Sequence, residues 1–238
     1  MTSAISEFEF LDRGFNQTIV LIPGWAADYR IFACLELNYN YILPRNLNPF
    51  NFSDKLPGFL DKKSIDRVSL FGWSLGGFLA VEFALKNLNR VEGIILLSVR
   101  GRYDSEVLGE IKRKIIKNKK AYLYKFYLEC FSDADKEGFA WFKKFLLKDY
   151  LVRMELQDLI LGLDYLSGVS FSPESLAPVK NARIFHGEED KIVPFKQAGE
   201  MKRCPAGVEF ICLPGRGHIP FLSHNFKQEF ENGQRSSN

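Results

Sequence analysis

Short apolar runs rich in Val, Ile and Phe recur along the chain. They lie at residues 18–23 (TIVLIP), 39–43 (YNYIL), 68–71 (VSLF), 93–99 (GIILLSV), 182–186 (ARIFH) and 208–213 (VEFICL). Their apolar character is nearly continuous and hardly alternates, the pattern of strands covered on both faces, as in a parallel sheet. Between them, residues 29–36, 53–62, 75–87 and 195–203 predict crossover helices, and residues 7–11 add one edge strand. Strand and helix in alternation predict an α/β layer architecture with a mostly parallel sheet. The last residues, NGQRSSN, read as a frayed end, and no internal repeat or low-complexity tract is visible.

Residues 104–168 break the alternation, with helical periodicity and no convincing strand. Val107, Leu108, Ile111 and Ile115 fall on one face, Tyr122, Phe126 and Cys130 on another, and Leu156, Leu159, Ile160 and Leu163 on a third. The organisation this predicts is a core of residues 1–103 and 169–238, interrupted by a helical lid at 104–168.

Charge matters here through its placement. The chain has 238 residues and a formal net charge of +3, too near neutral to demand a nucleic-acid partner. Residues 100–150 nevertheless carry 13 basic against 8 acidic side chains, and residues 111–125 carry seven Lys or Arg and no acid. Lys112, Arg113, Lys117 and Lys120 are the candidate docking patch for an acidic partner; a run of this kind is equally well read as a solvated helix face. Cys34, Cys130, Cys204 and Cys212 lack ligand spacing and read mostly as core thiols of a reducing compartment. The acidic start carries no signal-peptide pattern, and no apolar run reaches the roughly 18 residues of a membrane helix. These features predict a soluble, cytoplasmic, monomeric protein without a membrane partner.

The strongest local signal is Gly72-Trp73-Ser74-Leu75-Gly76-Gly77, between VSLF and FLAVEFALKN. A G-x-S-x-G at a strand-to-helix junction is a nucleophile elbow: the turn holds the serine in a strained conformation, and glycine removes collisions at the flanking positions. A serine hydroxyl needs a base, and the base needs a carboxylate to fix its tautomer. Of three histidines, His218 lies in a Gly-rich loop after the last strand and is the favoured base. His224 is its competitor, and His186 is expected to brace a turn. In His186-Gly187-Glu188-Glu189-Asp190, Asp190 is the favoured acid, and Glu188 and Glu189 read as solvated loop charge. The order Ser74, Asp190, His218 differs from the chymotrypsin and subtilisin orders. The oxyanion donors would be the N–H groups of Leu75 and of Trp25, which follows Gly24 after the first central strand.

At these residues the chain resembles the α/β-hydrolase superfamily, over nearly its whole length, through IPGW, GWSLGG, HGEEDKIVP and GRGHIPFLSH. Within it the chain is similar to the pimeloyl-acyl-carrier-protein methyl ester esterases of biotin synthesis, through PGW, GWSLGG and HIPFLSH. The resemblance implies an α/β-hydrolase fold, with nucleophile, acid and base at Ser74, Asp190 and His218. It also implies oxyanion and substrate contacts at Trp25 and Leu75, and lid contacts at Phe126, Tyr127 and Cys130. Pro23 stands where the family usually has a histidine, so one brace of the oxyanion loop is missing. The short N-terminus leaves room for one strand where the family often has two.

The reading this supports is a carboxylic ester hydrolase without metal or cofactor, acting on pimeloyl-acyl-carrier-protein methyl ester. Tyr122, Tyr124, Phe126, Tyr127, Phe131, Trp141 and Phe145 either line an acyl tunnel or form the lid's own core. The alternatives are a generic short-chain carboxylesterase or thioesterase, and a non-catalytic acyl-carrier or ligand-binding protein that keeps the hydrolase shell. Epoxide hydrolases and dehalogenases place Asp where Ser74 stands.

Overall fold

The computed structural model describes residues 6–235. In chain order its elements are β1 (Glu7–Leu11), β2 (Thr18–Ile22), β3 (Asn40–Asn46), α1 (Phe52–Lys62), β4 (Val68–Trp73), α2 (Leu75–Lys86) and β5 (Val91–Leu97). There follow α3 (Ser105–Glu129), α4 (Lys136–Phe142), α5 (Lys148–Arg153), α6 (Leu156–Gly168), β6 (Ala182–Gly187), β7 (Val208–Leu213) and α7 (Phe226–Arg235). The seven strands form one sheet in the order β1-β3-β2-β4-β5-β6-β7; β1 is antiparallel to β3 and every other pairing is parallel. Every residue of β2 and β4 is buried, as continuous apolar runs demand of strands covered on both faces.

The expected strands are all present, and so are the helices expected at 53–62 and 75–87. The other two crossovers are shorter than their spacing predicts: residues 29–36 and 195–203 hold only single 3₁₀ turns, at Tyr29–Phe32 and Gln197–Glu200. In the second, the side chain of Asp190 accepts from the N–H groups of Ile192 and Val193, so a tight turn occupies the start of the connection. Pro205 then limits it before β7 begins. The tail also differs from expectation. Residues 232–235 belong to α7, whose Phe226 and Phe230, four apart, are buried against Phe185; residues 236–238 lie outside the described residues, as do residues 1–5 of the acidic start.

Four helices and a π-helical stretch, Lys143–Leu147, fill the chain between β5 and β6. An isolated antiparallel bridge between Arg102 and Ser170 closes their neck. α3 breaks at Asn118 (φ −156°, ψ 86°), whose side chain accepts from the N–H of Ala121 and so caps the second half. The basic residues of α3 lie on both sides of this kink, while its aromatic residues all follow it. Leu108 and Ile115 are buried, but Val107 is 54% exposed and does not share their face in the fold. Of the expected core thiols only Cys130 is buried; Cys34 and Cys212 are exposed, the latter because β7 is an edge strand. No helix among the described residues is long and apolar enough to cross a membrane.

Candidate active site

The turn after β4 is set by glycine sterics. A Cβ on Gly72 would sit 2.5 Å from Gly76 O, one on Gly76 2.2 Å from Ile22 O, and one on Gly77 2.4 Å from Val99 Cγ1. With no side chains there, α2 packs directly on β2 and β4, and Ser74 between them takes φ +54°, ψ −116°. A serine at positive φ is strained and is held only where its surroundings dictate the conformation. Ser74 N–H is secured to Leu97 O at 2.9 Å. Leu75 opens α2, so its N–H has no acceptor within the helix and points out at the helix start.

His218 and Asp190 meet from neighbouring loops beyond the carboxyl ends of β7 and β6. His218 Nδ1 lies 2.8 Å from Asp190 Oδ2, with both side chains essentially inaccessible. Asp190 Oδ1 accepts from Ile192 N and Val193 N, each at 2.8 Å, so the carboxylate is aimed by its own turn. The Trp73 indole donates to His218 O at 2.8 Å, tying the base loop to the residue before Ser74. His218 Nε2 is buried with no partner among the described residues, the state of a ring nitrogen left available to a reacting proton. The other candidates fall elsewhere. His224 is exposed and pairs with Glu137, and Glu188 and Glu189 are exposed on the loop surface. His186 is buried and bonds Val193 O at 2.9 Å, bracing the acid turn as expected. Burial pushes its imidazole below the ordinary range despite Asp190 at 3.8 Å.

Gly24 lies against the elbow: a Cβ there would come within 3.1 Å of Ser74 Cβ. Trp25 is the next residue along this loop. The indole of Trp25 packs on Phe126 and Tyr122 and donates to Leu159 O at 2.9 Å. The loop after Pro23 is held from the helical insertion. Tyr127 Oη donates to Ala26 O at 2.7 Å, and Tyr150 Oη lies 3.1 Å from Asp28 Oδ1. Arg30 bridges Asp28 and Asp149.

Among the contacts expected from the insertion, Phe126 is half-buried beside Trp25, whereas the side chains of Tyr127 and Cys130 are buried. Tyr127 and Phe131 pack on Phe142 within the insertion's own core, and Tyr124 and Phe145 face solvent, so these aromatics do not form one tunnel. Lys112 is tied to Asp164, while Arg113, Lys117 and Lys120 are exposed.

Tyr103 carries no motif and escapes the sequence reading. Its hydroxyl sits beside that of Ser74; burial pushes its pKa up to about 12, with the serine contact acting in the opposite sense. Only the fold, by bringing the neck of the insertion over the elbow, places it there.

Comparison with known proteins bears on the family and the fold. The alpha/beta hydrolase family matches residues 19–228. A pimeloyl-[acyl-carrier protein] methyl ester esterase of Pseudoalteromonas atlantica is 24% identical over 226 residues, covering 90% of this chain and 81% of its own. One of Legionella pneumophila is 25% identical, covering 89% and 91%. A thermophilic esterase from Thermogutta terrifontis superimposes with a TM-score of 0.80 at 18% identity, covering 97% of this chain and 94% of its own. A match across most of the chain, with strand order and elbow to suit, establishes that this protein belongs to the alpha/beta hydrolase family.

Proposed function

We propose that this protein is a serine carboxylesterase whose preferred substrate is a pimeloyl methyl ester on acyl carrier protein, hydrolysed to methanol and the free ω-carboxylate. The observation that carries the esterase reading is a strained Ser74 at the elbow, together with a buried His218–Asp190 pair that the Trp73 indole ties to it; His218 Nε2 has no partner among the described residues. The pimeloyl esterase relatives, matched along about nine-tenths of the chain, favour this substrate.

In this mechanism Ser74 Oγ attacks the ester carbonyl while His218 Nε2 takes its proton. Asp190 holds Nδ1–H and stabilises the imidazolium, and the N–H groups of Trp25 and Leu75 stabilise the oxyanion. Methanol leaves with the proton from His218. Water, activated by the same nitrogen, then releases the acyl group from Ser74.

Residues 104–168 act as the lid, with Trp25, Tyr122 and Phe126 offering an apolar wall to the acyl chain. Arg113, Lys117 and Lys120 supply the long-range attraction for an acidic carrier, while Lys112 is largely neutralised by Asp164.

The test compares kcat/KM for methyl pimeloyl-carrier protein and for p-nitrophenyl esters of graded length, at low and moderate salt, with Ser74→Ala as control. A salt-sensitive preference for the carrier-bound ester supports the reading, because screening weakens steering between exposed charges. Turnover of small esters alone leaves a generic carboxylesterase or thioesterase. No turnover, with Ser74 unlabelled by a phosphonate, turns the reading toward a binding protein.

A further inference from the structure

Asp135 is a buried carboxylate, 6% exposed, at the start of α4, and it does not cap its own helix. Its Oδ2 turns the other way and accepts from Gly217 N at 2.8 Å and Ser132 N at 3.0 Å. Gly217 immediately precedes His218. The Ser132 hydroxyl lies 2.6 Å from Gly215 O and 3.0 Å from Asp135 Oδ2, its one proton serving one of them at a time. His218 N donates to Cys130 O at 2.8 Å. The turn at 130–135, which belongs to the helical insertion, therefore grips the base loop at three consecutive backbone segments.

The opposite side of that loop is held as well. Glu188 N donates to Leu213 O and Glu189 N to Arg216 O, at 3.0 and 2.9 Å. The fit is close on both sides: a Cβ on Gly217 would lie 2.7 Å from Cys130 O and 2.9 Å from Asp135 Oδ2, and one on Gly187 2.2 Å from Gly217 O. The nearest cation, Arg216, stands 3.6 Å from Asp135 Oδ1, too far for a tight ion pair. Backbone N–H groups are thus the chief compensation for this buried charge. Hydrogen bonds to a carboxylate are among the stronger kinds, and leaving one end unmet in the interior is costly.

We propose that Asp135 is a positioning residue for the catalytic base: it fixes Gly217, and through it the placement of the His218 imidazole between Asp190 and Ser74. The inference rests on the serine-esterase reading for its kinetic consequence, and on geometry alone for the placement of the ring. It assigns the insertion a second role. Besides covering the site, the insertion completes it.

Two readouts test this. Turnover of p-nitrophenyl butyrate is measured per site titrated with a fluorophosphonate, and the low-field proton resonance of His218 Nδ1–H is followed by NMR, assigned by its loss in His218→Gln. Asp135→Ala is expected to lower kcat by about 10- to 100-fold with KM little changed, since small misplacements of a reacting group have costs of that order. It is also expected to lose or shift the resonance. Asp135→Asn keeps an acceptor oxygen and should recover most of both. Asp135→Thr can cap α4 but is too short to reach Gly217, so it should behave as Asp135→Ala even if the alanine variant folds poorly. A folded Ala or Thr variant with wild-type kcat and an unchanged resonance overturns the proposal. If the wild type hydrolyses no ester, the esterase reading fails by itself, and the resonance in the same variants still decides the role of Asp135.

Discussion

Ser74 stands on a turn whose three glycines lie within three positions of it and let β2 and β5 close against it, whereas His218 stands on a loop held by the side chains of Asp190, 28 positions away, and of Asp135, 82 positions from Gly217. The serine end is built by exclusion. Three glycines remove side chains, helix and strand close together, and the backbone is driven to positive φ. The histidine end is built by attraction, through directional hydrogen bonds from two neighbouring loops. The two should therefore fail differently: the first through packing, taking the fold with it, and the second through alignment, leaving a folded protein with poor chemistry.

Gly76→Ala attacks the serine end where a Cβ would meet the backbone of β2 at 2.2 Å. The neighbour is main chain in the centre of the sheet and cannot give way. We expect a loss of about 3 kcal/mol or more, seen as little soluble protein or a collapsed thermal midpoint. A stable, active variant would mean that the elbow tolerates more relaxation than the packing allows. Asp190→Asn attacks the histidine end. Far-ultraviolet circular dichroism and the melting transition should stay close to wild type while kcat falls about 10⁴-fold, because the imidazole loses its tautomer and its counter-charge. Near-normal turnover would move the acid to Glu188 or Glu189.

The loop that carries Trp25 lies between these extremes. Ala26 takes φ +58°, and its carbonyl is held by Tyr127 Oη. Tyr127→Phe leaves that buried carbonyl without its donor, at a cost of about 1–3 kcal/mol in stability by chemical denaturation. A kcat lower by up to about 10-fold should accompany it as the Trp25 N–H drifts. Loss of stability without loss of turnover would show that the loop is held well enough by Trp25 and Tyr150.

The smallest effect concerns His186, beneath the acid turn. Burial lowers its pKa from the ordinary 6.5, and its Nδ1 has no partner among the described residues, so the folded protein keeps it neutral while the unfolded chain protonates it in acid. Its contribution is complete above about pH 6.5 and is lost as the pH falls below that value. Thermal midpoints measured from about pH 8 to 5 should decline more steeply for the wild type than for His186→Gln. Parallel curves would remove His186 from the account.

The alternating architecture, the elbow and the order of the three candidate residues are legible in the amino-acid sequence, because continuous apolar runs and a G-x-S-x-G motif are each written within a few neighbouring positions. The sequence also marked residues 104–168 as helical. It overestimated two crossovers, where local spacing is helical but the folded chain holds single 3₁₀ turns; in the second, the Asp190 turn occupies the start of the connection. It passed over α7, whose signal was only the i, i+4 pair Phe226 and Phe230. Tertiary contacts alone bring Tyr127 onto the carbonyl of Ala26, Tyr103 beside Ser74, and Asp135 onto the histidine loop. Each of these contacts joins the insertion or its neck to a loop of the core. No spacing along a chain encodes which of many polar side chains will meet which backbone group once the sheet and the helices above it have closed together.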